Sequence, residues 1–230
     1  MIILSFILCC CGENLRKETV KGKPLPDGSE TYYIIEKNDK DLTVHSTRFD
    51  ENDEIIEEYE YSYSYDISGK LTVIKKINVR TGSREETVYD KYKNKTEEIF
   101  YNSDGIVTGR KEYLKNGNVK KTYIYKNGKE TGYTLFDYYT DNQLKSETVY
   151  SISGKTVKIT TYYKNRQLYQ IKDFDKSGMV EKITKYFYKG DNLVKISLYD
   201  GEFNLYQSTD FSTDPPKITK YENGTEINNG

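Results

Sequence analysis

The chain has 230 residues, of which 35% are hydrophobic and 31% are charged. Its formal net charge is −1, so no long-range attraction to nucleic acid or to an anionic membrane is expected. The 24 tyrosines and 8 phenylalanines favour a folded chain over a disordered one, because aromatic rings suit a half-buried pleated surface.

The chain begins with a short apolar run, residues 1–8, followed by Cys9, Cys10 and Cys11. The run is too short to span a bilayer as a helix, and it matches the hydrophobic region of a signal peptide. No cysteine follows Cys11, which excludes disulfides within the main body. The alternative is a buried N-terminal strand in which the cysteines act as small hydrophobic residues.

Residues 1–11 resemble the signal peptide of bacterial lipoproteins, in which a leucine lies three residues before the cysteine that is acylated. Leu8 occupies that position if Cys11 is the lipidated residue. Cys10, with Ile7 in the leucine position, is the second choice. The resemblance implies attachment to a membrane through an N-terminal lipid.

The next segment, residues 12–29, is polar and contains Gly22, Pro24, Pro26 and Gly28. Such a composition favours an extended, solvated tether. We expect it to hold a folded body away from the membrane.

Turn signals recur along most of the chain at intervals of about twelve residues, which predicts a hairpin repeat domain over residues 30–206, with strands of roughly eight residues joined by turns of roughly four. Between the turns apolar and polar residues alternate, as at Val157, Ile159 and Thr161 against Lys158 and Thr160. The turn dipeptides are Ser68-Gly69, Thr81-Gly82, Lys93-Asn94, Asp104-Gly105, Asn116-Gly117, Asn127-Gly128, Asp141-Asn142, Ser153-Gly154, Asn165-Arg166, Ser177-Gly178, Gly190-Asp191 and Asn223-Gly224.

These patterns predict an all-β fold, a repetitive antiparallel β-meander that is elongated. The sheet is either largely one layer thick, held by cross-strand pairs, or folded back into a sandwich. Residues 207–230 are expected to form a C-terminal hairpin or tail. We expect a monomer, because the many lysines oppose edge-to-edge pairing.

Two segments, residues 101–120 and 125–139, resemble the variant MORN repeat of bacterial proteins. That unit reads Tyr-x-x-x-Gly-x-x-x-Gly, followed by Tyr and Asn-Gly, and the likeness extends over about residues 60–200. Later copies keep the turn glycine, as at Gly154 and Gly178, but lose the second glycine. The resemblance implies repeating β-hairpins, found in lipoproteins and in antitoxin-like proteins, and it does not imply catalysis.

Residues for catalysis or metal binding are scarce. His45 is the single histidine, and no Gly-rich loop or serine elbow is present. Asp173–Gly178 resembles the start of a calcium loop, but Thr184 stands where a bidentate glutamate is required, so we interpret the segment as a turn. The sequence therefore predicts a protein that is not an enzyme and has no cofactor and no metal site.

Tyrosines beside lysines are the candidate binding residues, because rigid aromatic rings anchor protein partners and stack on sugars. The alternative is that they serve only in cross-strand packing. The candidates are Tyr123, Tyr125, Tyr162, Tyr163, Tyr186 and Tyr188.

Two functions are consistent with these patterns. The first is a lipid-anchored protein of the bacterial cell envelope, which presents a tyrosine-rich sheet to an unknown protein or glycan and has no nucleic-acid partner. The second is an antitoxin or immunity-like protein that neutralises a toxin. The signal segment favours the first function, because a cytosolic antitoxin would not carry one.

Overall fold

The computed structural model describes residues 15–227. The predicted signal peptide, with Cys10 and Cys11, lies outside the described residues. Within residues 15–227 the chain forms eighteen strands and no helix. In that same range there is accordingly no helix with the length and apolar character needed to cross a membrane.

The strands follow one another along the chain at nearly regular intervals. They are β1 (Arg16–Lys21), β2 (Thr31–Lys37), β3 (Thr43–Asp50), β4 (Ile55–Tyr65), β5 (Leu71–Asn78), β6 (Arg84–Tyr89), β7 (Lys95–Tyr101), β8 (Val107–Tyr113), β9 (Val119–Lys126), β10 (Lys129–Tyr138), β11 (Leu144–Ser151), β12 (Thr156–Tyr162), β13 (Leu168–Phe174), β14 (Val180–Lys189), β15 (Asn192–Asp200), β16 (Leu205–Asp210), β17 (Lys217–Glu222) and β18 (Thr225–Ile227).

The chain divides into two compact units. The first contains the residues up to Asn94 together with Glu98–Ile106, and the second contains Lys95–Glu97 and the residues from Val107 onward. The predicted repeat domain, residues 30–206, thus extends over both units. Strand β16 crosses residue 206, the predicted end of that domain, and β17 with β18 forms a C-terminal hairpin.

Each unit is a single layer of antiparallel strands. Consecutive strands pair from β1 to β6 in the first unit and from β8 to β18 in the second. Within each unit, the strands that contact each other extensively are consecutive in the chain. The described residues show no second layer over either sheet. The predicted all-β antiparallel meander is confirmed, and neither unit is folded back into a sandwich.

Part of the predicted tether, residues 12–29, forms a strand. β1 (Arg16–Lys21) pairs with β2, and Gly22 continues the ladder by donating its N–H to the Thr31 carbonyl at 2.8 Å. Cross-strand charges accompany the pairing, since Lys17 Nζ lies 2.7 Å from a Glu36 carboxylate oxygen. Opposite charges facing each other across two strands offset the low apolar content that suggested a tether.

One turn geometry explains the twelve-residue spacing. At Asp66 the backbone N–H donates to the Lys70 carbonyl and the Asp66 carbonyl accepts from the Gly69 N–H, both at 2.9 Å. Gly69 has φ +77°, so a type I turn is closed by a left-handed residue at its fourth position. The same two hydrogen bonds occur in the turns that start at Asn38, Asp50, Asp90, Asn102, Leu114, Tyr139, Ser151, Tyr163, Asp175 and Asp200.

An aspartate at the first turn position holds the loop through its side chain. Asp175 Oδ1 accepts the backbone N–H groups of Ser177, Gly178 and Met179 at 2.8–2.9 Å. The hydrogen bond from the Ser177 hydroxyl, followed by those backbone bonds, lowers the pKa of Asp175 below its ordinary value. The interpretation as a turn is confirmed for Asp175–Gly178, whereas Asp173 and Phe174 are the last residues of β13.

A cross-strand apolar pair flanks most of these turns. The residue just before the turn is aromatic, and its Cα partner just after the turn is aliphatic. Immediately beyond each pair the register shifts by one residue. The pairs are Phe49 with Ile55, Tyr65 with Leu71, Tyr113 with Val119, Tyr138 with Leu144, Tyr162 with Leu168, Phe174 with Val180 and Tyr199 with Leu205.

The interior is very small, as the low aliphatic content predicts. Ile183, at 0% exposure, is the single buried apolar side chain in the described part of the chain. Other buried side chains are small and polar, including Ser46 and Thr47 in the first unit and Ser197 and Ser208 in the second. Burial is therefore spread over many half-covered side chains rather than concentrated in a core.

We predict that Ile183→Ala destabilises the second unit by about 2–3 kcal/mol, because it removes buried methyl groups and leaves a cavity. Chemical denaturation measures the change in the free energy of unfolding. Ile152→Ala is the matched control, since Ile152 is 63% exposed, and we expect a change within about 0.5 kcal/mol. Equal effects of the two substitutions would contradict the assignment of Ile183 as the buried centre.

The left-handed turn position gives a second prediction. Gly154 has φ +79° and open space where a Cβ would lie, so Gly154→Ala should cost about 1 kcal/mol from the backbone alone. Lys93 occupies the same turn position with φ +66°, and Lys93→Gly should leave stability unchanged or raise it. Thermal unfolding of the two variants checks the opposite directions, and a stabilising Gly154→Ala would rule out this turn geometry.

Candidate binding surface

All six candidate tyrosines lie in the second unit. Tyr123 and Tyr125 are on β9, Tyr162 ends β12, and Tyr163 begins the following turn. Tyr186 and Tyr188 are on β14. The structure places them in distinct surroundings, which are described in turn.

Tyr123 belongs to a row of side chains that crosses four strands. Arg110, Tyr123, Tyr133 and Tyr150 are successive Cα partners on β8, β9, β10 and β11. The rings of Tyr133 and Tyr150 are stacked, with centroids 4.9 Å apart. We call these four residues the Tyr123 row.

Cations lie against the rings of the Tyr123 row. Lys121 Nζ is 4.1 Å from the ring centroid of Tyr123 and 4.0 Å from that of Tyr133, and the Arg110 guanidinium is 4.7 Å from that of Tyr123. Each contact of this kind contributes about 0.5–1 kcal/mol at an exposed site. The lysine bridges two rings and therefore restrains their relative orientation.

Acidic side chains lie beside Tyr123 and Tyr125. The Tyr123 hydroxyl donates a hydrogen bond to Glu112 Oε1. Partial burial, that hydrogen bond and the charge of Glu112 raise the pKa of Tyr123 to about 12. The bond from Tyr123, with Lys120 nearby, lowers the pKa of Glu112. Beside Tyr123, partial burial and then Glu130 raise the pKa of Tyr125.

The candidate tyrosines do not share one face of the sheet. Cα partners in antiparallel strands point to the same face, and successive residues alternate. Following the ladder from Tyr150 places Thr161 on the face of Tyr123, so Tyr162 lies on the opposite face. The same reasoning across β13 and β14 places Tyr186 with Tyr162. We refer to the Tyr123 face and the Tyr162 face.

Tyr163 and Tyr188 do come together, in a three-ring cluster. The Tyr163 ring contacts that of Tyr169 with centroids 4.9 Å apart and that of Tyr188 with centroids 6.3 Å apart, both edge-on. Tyr163 remains 37% exposed. Burial and the neighbouring rings raise the pKa of Tyr163.

Tyr133, Tyr150 and Tyr169 are not among the candidate residues that the sequence pattern indicated, and neither are the cations between the rings. Pairing β9 with β10 about the Asn127-Gly128 turn without a bulge would have placed Gly132 opposite Tyr123, and only the register shift between Glu130 and Gly132 brings Tyr133 to that position. Contact between Lys121 and two rings depends on side-chain conformations and had no sequence signal.

The candidate surface offers aromatic rings, amides and charged groups. No group of three or more His, Cys, Asp or Glu side chains able to hold a metal ion occurs in residues 15–227. His45, on β3 in the first unit, has Nε2 at 3.0 Å from Glu58 Oε1. The exposed rings, amides and charges of the second unit are suited to stacking and hydrogen bonding with a ligand.

No protein-family profile matches the chain, and no curated protein matches it significantly. Among solved structures, the chain is similar to a porin-like protein from Bacteroides uniformis, with 12% identity, 93% of each chain covered and a TM-score of 0.34. It is also similar to the TcdB2-TccC3 structure, with 12% identity and a TM-score of 0.29; the match covers 84% of this chain and 14% of that chain. These scores are low, and neither likeness extends to function.

Partial burial of Tyr123 and its hydrogen bond to Glu112 predict a late-titrating tyrosine. Its native pKa of about 12 lies above the ordinary value near 10, so its contribution to stability is complete below pH 10. That contribution is lost as the pH rises through 12. Ultraviolet titration of tyrosinate should show one late group that is missing from Tyr123→Phe.

Glu112→Gln is the control for this titration. The substitution keeps a hydrogen-bond acceptor but removes the negative charge, so it should lower the pKa of Tyr123 toward its ordinary value. An unchanged late group in both variants would assign it to a different tyrosine.

Proposed function

We propose that the protein is a non-catalytic, lipid-anchored protein of the bacterial cell envelope that binds a protein or a glycan through the Tyr123 row. The observation that carries the binding role is the row itself. Its tyrosine rings lie at the sheet surface and are restrained before any ligand arrives by Lys121, Arg110 and Glu112.

Restrained aromatic rings suit recognition for a thermodynamic reason. Binding costs about 0.5–1.5 kcal/mol for each flexible side chain that becomes immobilised. The Tyr133 and Tyr150 rings are already stacked, and the Tyr123 hydroxyl is already bonded, so little of this cost remains.

The envelope location is supported by the sequence of residues 1–11. An apolar run ends in Leu8 and is followed three residues later by Cys11, the arrangement that the lipoprotein resemblance requires. Once lipidated, the folded body would be held at a membrane, where proteins and polysaccharides of the envelope are abundant.

Metabolic fatty-acid labelling tests the anchor. We expect label on the wild-type protein in its native cells and none on the variant with Cys9, Cys10 and Cys11 changed to Ala. Single Cys11→Ala and Cys10→Ala variants distinguish the first and second choices of lipidated residue. An unlabelled, soluble wild type would reject the anchor and favour the antitoxin-like function.

Retention on isolated envelope fractions tests the binding role. Tyr133→Ala removes a ring from the centre of the Tyr123 row and should weaken retention by about tenfold or more. Tyr133→Phe keeps the ring and should retain most binding. The matched control is Tyr92→Ala, a 68% exposed tyrosine in the first unit, which should bind normally. Equal retention of all three variants would exclude the row as the binding surface.

A further inference from the structure

A groove lies between two neighbouring turns at one end of the second unit, beside the Tyr162 face. Its volume is about 360 Å³. It is bounded by strand-end residues of β10, β11 and β12 and by two successive turns. The lining residues are Tyr138, Asn142, Gln143, Leu144, Tyr162 and Arg166.

Two tyrosine rings form the walls, and the protein fixes both of them. The Tyr138 hydroxyl donates to the Val119 carbonyl at 2.7 Å, and the Tyr162 hydroxyl donates to Glu147 Oε1 at 3.3 Å. Because alternate strands of a sheet lie roughly 10 Å apart, the rings recur at about the length of a disaccharide. Tyr186 continues the same 24-residue spacing on β14.

Side-chain hydrogen bonds join the turns around the groove into a rigid rim. Asn116 Nδ2 donates to Asn142 Oδ1 at 2.7 Å, which links the β8–β9 turn to the β10–β11 turn. The Tyr139 hydroxyl donates to the Tyr162 carbonyl at 2.8 Å, which links the β10–β11 turn to the β12–β13 turn. Gln167 Nε2 then donates to the Gly190 carbonyl at 2.9 Å.

The rim offers amides and positive charge. Among the described residues, the guanidinium of Arg166 has no hydrogen-bond or ion-pair partner. The four turns from β8–β9 to β14–β15, with the end of β14, carry Lys115, Lys164, Arg166 and Lys189 against Asp141 and Asp191. Asp141 already accepts the Gln143 N–H, and Asp191 receives a bond from Gln167. These bonds come from neutral donors and leave both carboxylates charged, so positive side chains outnumber negative ones in these turns but do not stand alone.

We propose that this groove binds acidic oligosaccharides that contain uronate units. The apolar faces of two sugar rings would pack on Tyr138 and Tyr162, the Asn142 and Gln143 amides would bind hydroxyl groups, and Arg166 would pair with a carboxylate. The inference rests on the proposed role as a binding protein but not on the Tyr123 row, which lies on the opposite face.

Calorimetry with the full chain tests the proposal, using oligogalacturonate and a neutral maltooligosaccharide of equal length. We expect the acidic probe to bind at least about tenfold more tightly than the neutral one. Arg166→Gln should weaken it by about tenfold, and Arg166→Lys by less. Tyr162→Leu, which keeps an apolar contact for the hairpin, should also weaken it. The matched control is Lys176→Gln, in a turn at the other end of the strands, which should bind within about twofold of wild type.

Three outcomes would overturn the groove assignment. They are no binding of oligogalacturonate, equal binding of the neutral probe, and equal losses in Arg166→Gln and Lys176→Gln, which would indicate attraction to positive charge in general. If any of these occurs while fatty-acid labelling and Tyr133-dependent retention persist, only the groove inference fails. Loss of all three properties would instead reject the proposed function.

Discussion

Over residues 15–227 each unit has one layer of strands with no second layer packed on it, and the rest of this structure depends on that constraint. A strand in such a sheet gains stability from its two neighbours and from the side chains that reach across them. Every hairpin must therefore be well defined by itself. Here most hairpins combine a left-handed turn residue with a cross-strand pair such as Tyr65 and Leu71, and repetition of this unit compensates for an interior that contains little more than Ile183.

The same constraint explains the tyrosine content. A side chain on a single layer is rarely buried on all sides, so an aliphatic residue would expose much of its surface. Tyrosine covers its neighbours with the ring and keeps a polar group for water or for a hydrogen bond, as Tyr138 does with the Val119 carbonyl. Packing and recognition are thus not exclusive, and the rings that close the hairpins also form the walls of the groove beside Arg166.

Much of the fold could be predicted from the sequence because its signals are local. The period of turn residues, with Gly69 and Gly154 at left-handed positions, specifies hairpins without reference to distant contacts. Strand β1 was not predicted because its pairing with β2 is supported by cross-strand charge pairs, such as Lys17 with Glu36. Such pairs leave no local pattern in the sequence. The candidate tyrosines were identified as residues but not as surfaces, since one-residue register shifts after the turns change which side chains are neighbours.

The sequence by itself determined the fold class, the hairpin repeat and the small interior, because turn chemistry and alternation act over a few residues. It also carries the lipoprotein-like segment, which is a linear signal. Only the tertiary structure decided that Tyr123 and Tyr162 lie on opposite faces, that Lys121 joins two rings, and that Arg166 stands beside Tyr138 and Tyr162. Those relations depend on strand register and side-chain conformation, which bring together residues that are distant in the sequence.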